Sequence, residues 1–222
     1  MLRGVTHLCR VMYLRVPKYC KGKAMKLIFL LLGMLPLLAQ AADTTTKINV
    51  STCEACHGKN GVGKDEFPRL AGQESTYFVK QLQDFRAGKR SNPMMQPVAQ
   101  SMSEADIAKY AAYFSKLPQP ATKPSAEDAA LLAEGDSLAK NGDWPHGIPS
   151  CFQCHGEKGQ GISPDFPQIT GQPARYIAIQ MGNWKSGVRS NDPIGLMKSV
   201  ADKMTDQQIK AVAAYLSQGV TK

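Results

Sequence analysis

The sequence predicts an all-α protein built from two tandem copies of one small helical domain. Three observations carry that expectation. The pentapeptide Cys-x-x-Cys-His occurs twice, at Cys53–His57 and Cys151–His155, and superposing the two motifs aligns nearly the whole chain beyond residue 50. After each motif apolar side chains recur at helical spacing: Phe78, Leu82 and Phe85 in the first copy, Ile177, Met181 and Trp184 in the second. No run of alternating β-branched residues is long enough to argue for a sheet.

The chain opens on an export signal. Its formal charge is +9, yet residues 1–41 hold seven basic residues and no acidic one. The remainder carries 20 Lys and Arg against 18 Asp and Glu, so the basic balance belongs to the leader and makes no case for a nucleic-acid partner. From Met25 the sequence reads Met-Lys, an apolar run from Leu27 to Leu38, then Ala39-Gln40-Ala41. That is a short basic region, a hydrophobic core and an A-x-A cleavage site. The run is short for a transmembrane span and contains Pro36, so cleavage after Ala41 is expected. An uncleaved N-terminal anchor is the competing reading. The signal proper is placed at 25–41, with 1–24 as an upstream extension whose Cys9 and Cys20 have no role in the mature protein.

The first copy is placed at 42–117, a linker at 118–125 and the second copy at 126–222. The run LPQPATKPS between the copies contains three prolines and no apolar periodicity. In each copy the Cys-x-x-Cys-His ends a short helix, a glycine-rich loop follows, and then comes the helix with the apolar stripe. A last helix starts at Ser103 or Thr205, where Ser103-x-x-Asp106 and Thr205-x-x-Gln208 are capping-box signatures. Ile107, Ala111 and Phe114, like Ile209, Ala213 and Leu216, form its inner face. Shared positions include Gly58/Gly156, Gly61/Gly159, Gly63/Gly161, Phe67/Phe166, Pro68/Pro167, Gln73/Gln172, Tyr77/Tyr176 and Arg90/Arg189. Each copy has fewer than about 100 residues, a size at which a side-chain core alone is marginal.

The doubled motif points to covalent haem. Two thiols separated by two residues match the spacing of the haem vinyl groups, and the adjacent histidine reaches the iron. A lone Cys-x-x-Cys could instead be half a zinc site or a redox dithiol, but two copies that each end in histidine, inside a longer repeat and behind an export signal, do not fit those readings. Cys53, Cys56, Cys151 and Cys154 are therefore the candidate thioether residues, and His57 and His155 the candidate proximal ligands, of two covalently bound haem c groups. Two buried haems would also supply the missing apolar core. An iron-bound imidazole usually donates its other N–H to a backbone carbonyl, and Pro68 and Pro167 are the candidates to provide it.

The sixth ligand is expected to be methionine. Residues 42–222 contain only His57, His146 and His155, too few for two bis-histidine haems, and His146 reads as an exposed loop residue. Met94 and Met181 face no methionine in the other copy, whereas Met95/Met197 and Met102/Met204 recur in register. Met102 and Met204 immediately precede the helix caps, where packing on Ile107 and Ile209 as hydrophobic staples already explains them. Met95 and Met197, each read as lying in a loop eight residues before its cap, remain as the candidate iron ligands.

The two CxxCHG motifs, the segments FPRLAGQ and FPQITGQ, the run QLQDFRAGKR and the closing SEADIAKYAAYF and TDQQIKAVAAYL together resemble the dihaem cytochrome c4 family. The resemblance covers about residues 50–218. It implies two tandem class I cytochrome c domains, each wrapped around one covalent haem and related by pseudo-two-fold symmetry. By motif position it implies His57 with Met95 and His155 with Met197 as axial pairs. It further implies a periplasmic electron carrier, loosely associated with the membrane in some members, that passes electrons from a quinol-oxidising complex toward a terminal oxidase. The chain is expected to work as a monomer. The family pattern has an amphipathic helix before the first motif; this chain has one before its second, 126–140, while Thr44–Val50 is rich in β-branched residues that weaken a helix. Two other readings compete: a dihaem enzyme such as a peroxidase, which needs an open iron site, and a fixed haem subunit of a larger oxidoreductase complex.

Overall fold

A computed structural model of the chain describes residues 48–121, 127–192 and 194–219. The expected signal, 25–41, its upstream extension, 1–24, and the second half of the expected linker, 122–125, lie outside these residues, as does Thr44–Lys47. All described residues belong to one compact unit, Thr46–Lys222. Among them there is no strand; regular structure is helical, with four isolated β-bridges.

The first copy contains α1 (Ser51–His57), a 3₁₀ turn (Lys59–Gly61), α2 (Ser75–Arg86), α3 (Met95–Gln100) and α4 (Glu104–Lys116). The second contains α5 (Ala129–Asn141), a 3₁₀ turn (Trp144–His146), α6 (Cys151–His155), α7 (Ala174–Ser186), α8 (Leu196–Lys203) and α9 (Asp206–Ser217). Residues 48–50 are not helical, and α5 begins one residue after its cap, Asp128, whose carboxylate accepts from Ala130 N and Leu131 N. Both capping boxes form. Ser103 pairs with Asp106 and Thr205 with Gln208, each side chain satisfying the other's backbone N–H.

One correction concerns the methionines. Met95 and Met197 do not sit in loops: Met95 is the first residue of α3 and Met197 the second of α8. Asn92 Oδ1 accepts from Met94 N (3.0 Å) and Met95 N (2.9 Å), and the Asp192 carboxylate accepts from Met197 N. These side chains satisfy free donors at a helix start from outside the helix. Pro97 is tolerated because it falls in the first turn, where no intrahelical N–H bond is lost.

The core of the first copy joins Phe78, Leu82 and Phe85 of α2 to Ile107, Ala111 and Phe114 of α4, the last three fully buried. Phe78 and Phe114 stack with centroids 5.8 Å apart. The second core joins Met181 and Trp184 of α7 to Ile209, Val212 and Leu216 of α9, with Met204 buried among them as a staple on Ile209. In this copy α5 crosses α9 at Gly135, where an added Cβ would lie 2.2 Å from the Ala211 carbonyl oxygen. Only hydrogen fits there.

Candidate haem centres and the contact between them

Each motif is a single helical turn, which places its two cysteines three residues apart on one face. The histidine closing the turn is buried. His57 Nδ1 lies 2.8 Å from the Pro68 carbonyl oxygen and His155 Nδ1 2.7 Å from that of Pro167, so both imidazoles are held through one nitrogen and keep Nε2 for a metal. Phe67 and Phe166 meet these rings edge-on at 6.2 and 6.0 Å. Burial pulls both imidazole pKa values down, against the opposing pull of the carbonyl bond, which favours the neutral, ligating form.

The glycine loop positions that carbonyl. Gly63 N donates to His57 O (2.8 Å) and Gly161 N to His155 O (2.7 Å), turning the chain back over the imidazole. Both glycines have positive φ, and a Cβ would sit 2.7 Å from Arg69 N in the first copy and 2.8 Å from Gln168 N in the second. The close approach fixes why glycine recurs at this position.

The four motif cysteines are free of disulfides. Burial raises the Cys53 thiol pKa and pushes that of Cys151 up to about 11, the reverse of the acidified thiol that a redox-active Cys-x-x-Cys requires. Among the described residues no cluster of three or more His, Cys, Asp or Glu side chains could hold a bare metal ion. Two thiols on one helical face beside a buried imidazole with a free Nε2 fit a covalently attached haem.

The two candidate methionines each lie at the start of a short helix, α3 or α8. Met95 packs on the same hydrophobic cluster as Cys53, and Met197 on the same cluster as Cys151. His146 is exposed, paired with Asp143 at 2.8 Å, and takes no part in either centre.

What sequence reasoning missed is the polar contact between the copies. Gln172 Oε1 accepts from Arg69 N (2.9 Å) while its Nε2 donates to Arg69 O (3.0 Å). Gln73 does the same to Gln168, at 3.2 and 3.4 Å. Farther along, Arg90 and Arg189 form a β-bridge. Arg90 donates to Gln81 Oε1 (2.8 Å), Gln180 Oε1 (2.7 Å) and the Tyr176 hydroxyl (3.1 Å); Arg189 donates to Gln180 Oε1 (2.9 Å) and the Tyr77 hydroxyl (3.1 Å). Each guanidinium also covers an aromatic ring, Phe85 or Trp184, at 4.6 and 4.4 Å. Arg90 is held charged, its pKa above the usual value, because Tyr176, Tyr77 and Asp84 outweigh the cost of burial. The signal was present in the repeat, since Gln73, Tyr77 and Arg90 recur as polar residues in both copies.

Residues 132–219 match the cytochrome c family, and residues 40–114 match the family described as cytochrome c oxidase, cbb3-type, subunit III. A cytochrome c4 from Pseudomonas aeruginosa is 34% identical over 199 residues, 88% of this chain and 98% of its own length. The chain belongs to the dihaem cytochrome c4 family. The crystal structure of reduced cytochrome c4 from Pseudomonas stutzeri superposes with a TM-score of 0.72 at 34% identity, covering 77% of this chain and 95% of that one. A thiosulfate dehydrogenase electron acceptor from Thiomonas intermedia is 43% identical over 189 residues, 84% of this chain and 87% of its own length. As a cytochrome c4, the protein carries two covalently bound haem c groups and transfers electrons to and from redox proteins; it is not an enzyme. Among the described residues no helix is long and apolar enough to cross a membrane.

Proposed function

We propose that this cytochrome c4 is a periplasmic respiratory shuttle in which each haem iron is closed by two protein ligands, His57 with Met95 and His155 with Met197. The observation that carries the reading is the doubled, in-register set: in each copy a cysteine of the motif and the recurring methionine pack on one hydrophobic cluster, beside a histidine fixed through Nδ1. Cys53, Cys56, Cys151 and Cys154 hold the haems by thioethers, one in each of the domains 42–117 and 126–222. Each haem supplies a one-electron Fe(III)/Fe(II) couple. The protein's part is to tie the imidazoles, present a soft thioether that favours Fe(II) and raises the potential, and exclude water with the two cores. With His57 and Met95 holding one iron and His155 and Met197 the other, no ligand position would be left for bond chemistry.

The relatives named as electron acceptors of thiosulfate dehydrogenase suggest the donor. We infer that a thiosulfate-oxidising dehydrogenase feeds the two haems and that a terminal oxidase drains them. Two tests separate these claims. A carbon monoxide difference spectrum of the reduced holoprotein should show no binding; stoichiometric binding at one haem would establish an open site and put the enzyme reading ahead. Mixing the ferric protein with a thiosulfate dehydrogenase and thiosulfate should produce the ferrous haem spectrum, and an unchanged spectrum would remove that donor.

A further inference from the structure

We propose that Arg69 and Gln168 are the paired donors that receive a carboxylate of each haem, and that the cation at one and the neutral amide at the other set the two haem potentials apart. The inference rests on the proximal roles of His57 and His155. Among the described residues only two buried side-chain polar atoms lack a hydrogen-bond partner, Arg69 Nε and Gln168 Nε2. They are not scattered. Residue 168 is the counterpart of residue 69 in the repeat, and each directly follows the proline whose carbonyl holds the haem-ligating imidazole.

The surroundings show what is missing. Arg69 is 2% exposed and Gln168 3%. The backbone N–H and C=O of both are used by the Gln73 and Gln172 side chains, and the Arg69 Nη atoms donate to the Ala71 and Thr170 carbonyls, each at 2.9 Å. No ion pair to Arg69 exists among the described residues, and burial without an opposing anion pulls its pKa down to about 10. Arg90, in the same contact, has Asp84 and two tyrosines and is shifted the other way. A buried cation facing only neutral carbonyls needs an anion, and a buried donor left empty is costly. No carboxylate of the described residues pairs with Arg69, and the propionates of the covalent haems would supply the anion. Their placement at two repeat-related positions explains why both orphans fall one residue from a proximal support.

The charge difference has a redox consequence. A propionate left bare stabilises Fe(III); a guanidinium bonded to it cancels that charge and favours Fe(II). Arg69 therefore raises the potential of the haem it meets, by its place in the chain the one attached at Cys53 and Cys56, and Gln168 leaves the other lower than an arginine would.

The test is a potentiometric titration of the holoprotein resolving both midpoints, with haem content and the methionine–iron absorption band recorded alongside. Arg69→Gln should lower one midpoint, by about 59 mV for each tenfold loss of preference for Fe(II), and move the other little. Arg69→Lys should keep most of the original value. Gln168→Arg should raise the second midpoint and leave the holoprotein at least as heat-stable as the parent. Unchanged midpoints in Arg69→Gln and Gln168→Arg, an Arg69→Lys potential as low as that of Arg69→Gln, or a Gln168→Arg protein that unfolds much earlier would each overturn the proposal. Loss of the methionine–iron band in the parent would instead count against the axial assignment alone, because the response at residue 69 would persist.

Discussion

Replacing Arg90 by methionine tests whether the polar contact between the copies stabilises the molecule or merely fills it. Methionine keeps much of the volume and the apolar contact with Phe85 but removes three donated hydrogen bonds. Bonds to a charged donor are worth about 1.5–3 kcal/mol each. The full sum overstates the loss, because Gln180 Oε1 keeps a bond from Arg189 at 2.9 Å and Gln81 Oε1 keeps one from Asn191 at 3.0 Å. The Tyr176 hydroxyl keeps Arg189 as a partner as well, so only part of each bond is lost, and with the cation–π contact the net cost is about 3 kcal/mol. At this chain length that lowers the melting temperature by roughly 6–12 °C. Helical circular dichroism of the ferric holoprotein on heating gives the value. A shift below roughly 2 °C would refute the reasoning, since a network that loses a buried cation at no cost was not stabilised by it.

Other outcomes follow from particular contacts. Met95→Ala or Met197→Ala should lower the potential of one haem and leave the other nearly unchanged; potentials unaltered in both variants would remove the ligand assignment. Gly135→Ala forces α5 away from α9, since the new Cβ would meet the Ala211 carbonyl at 2.2 Å, and should cost about 2–4 kcal/mol in denaturant unfolding. The chain produced without haem attachment should show weaker helical dichroism and a broad thermal transition, because each copy's side-chain core alone is marginal; a sharp transition at the holoprotein's temperature would contradict this.

Much of this fold is legible in residue patterns that act locally. Ser103 with Asp106 and Thr205 with Gln208 close their own helix ends, and the stripes Phe78–Leu82–Phe85 and Ile107–Ala111–Phe114 need only helical periodicity to be found. Proline after a glycine loop placed the carbonyl that meets each histidine. The helices α3 and α8 escaped because they are short and begin under side chains, Asn92 and Asp192, that lie three to five residues ahead of the methionines. The contact between copies escaped for another reason. Gln73, Tyr77, Gln81 and Arg90 look like ordinary solvated residues, and apart from the Arg90–Gln81 bond the partners described above come from the second copy folded against the first.

The reciprocal clamps, Gln172 on the Arg69 backbone and Gln73 on that of Gln168, make the contact self-complementary, each side offering an amide and a bare peptide unit to its mate. A two-fold contact of that kind is how identical subunits associate. The first copy cut free of the second would thus carry its own docking surface, and at sufficient concentration two such fragments would rebuild the clamp as a homodimer. In the intact chain the same clamp is closed within one molecule, at a concentration set by the linker and independent of dilution.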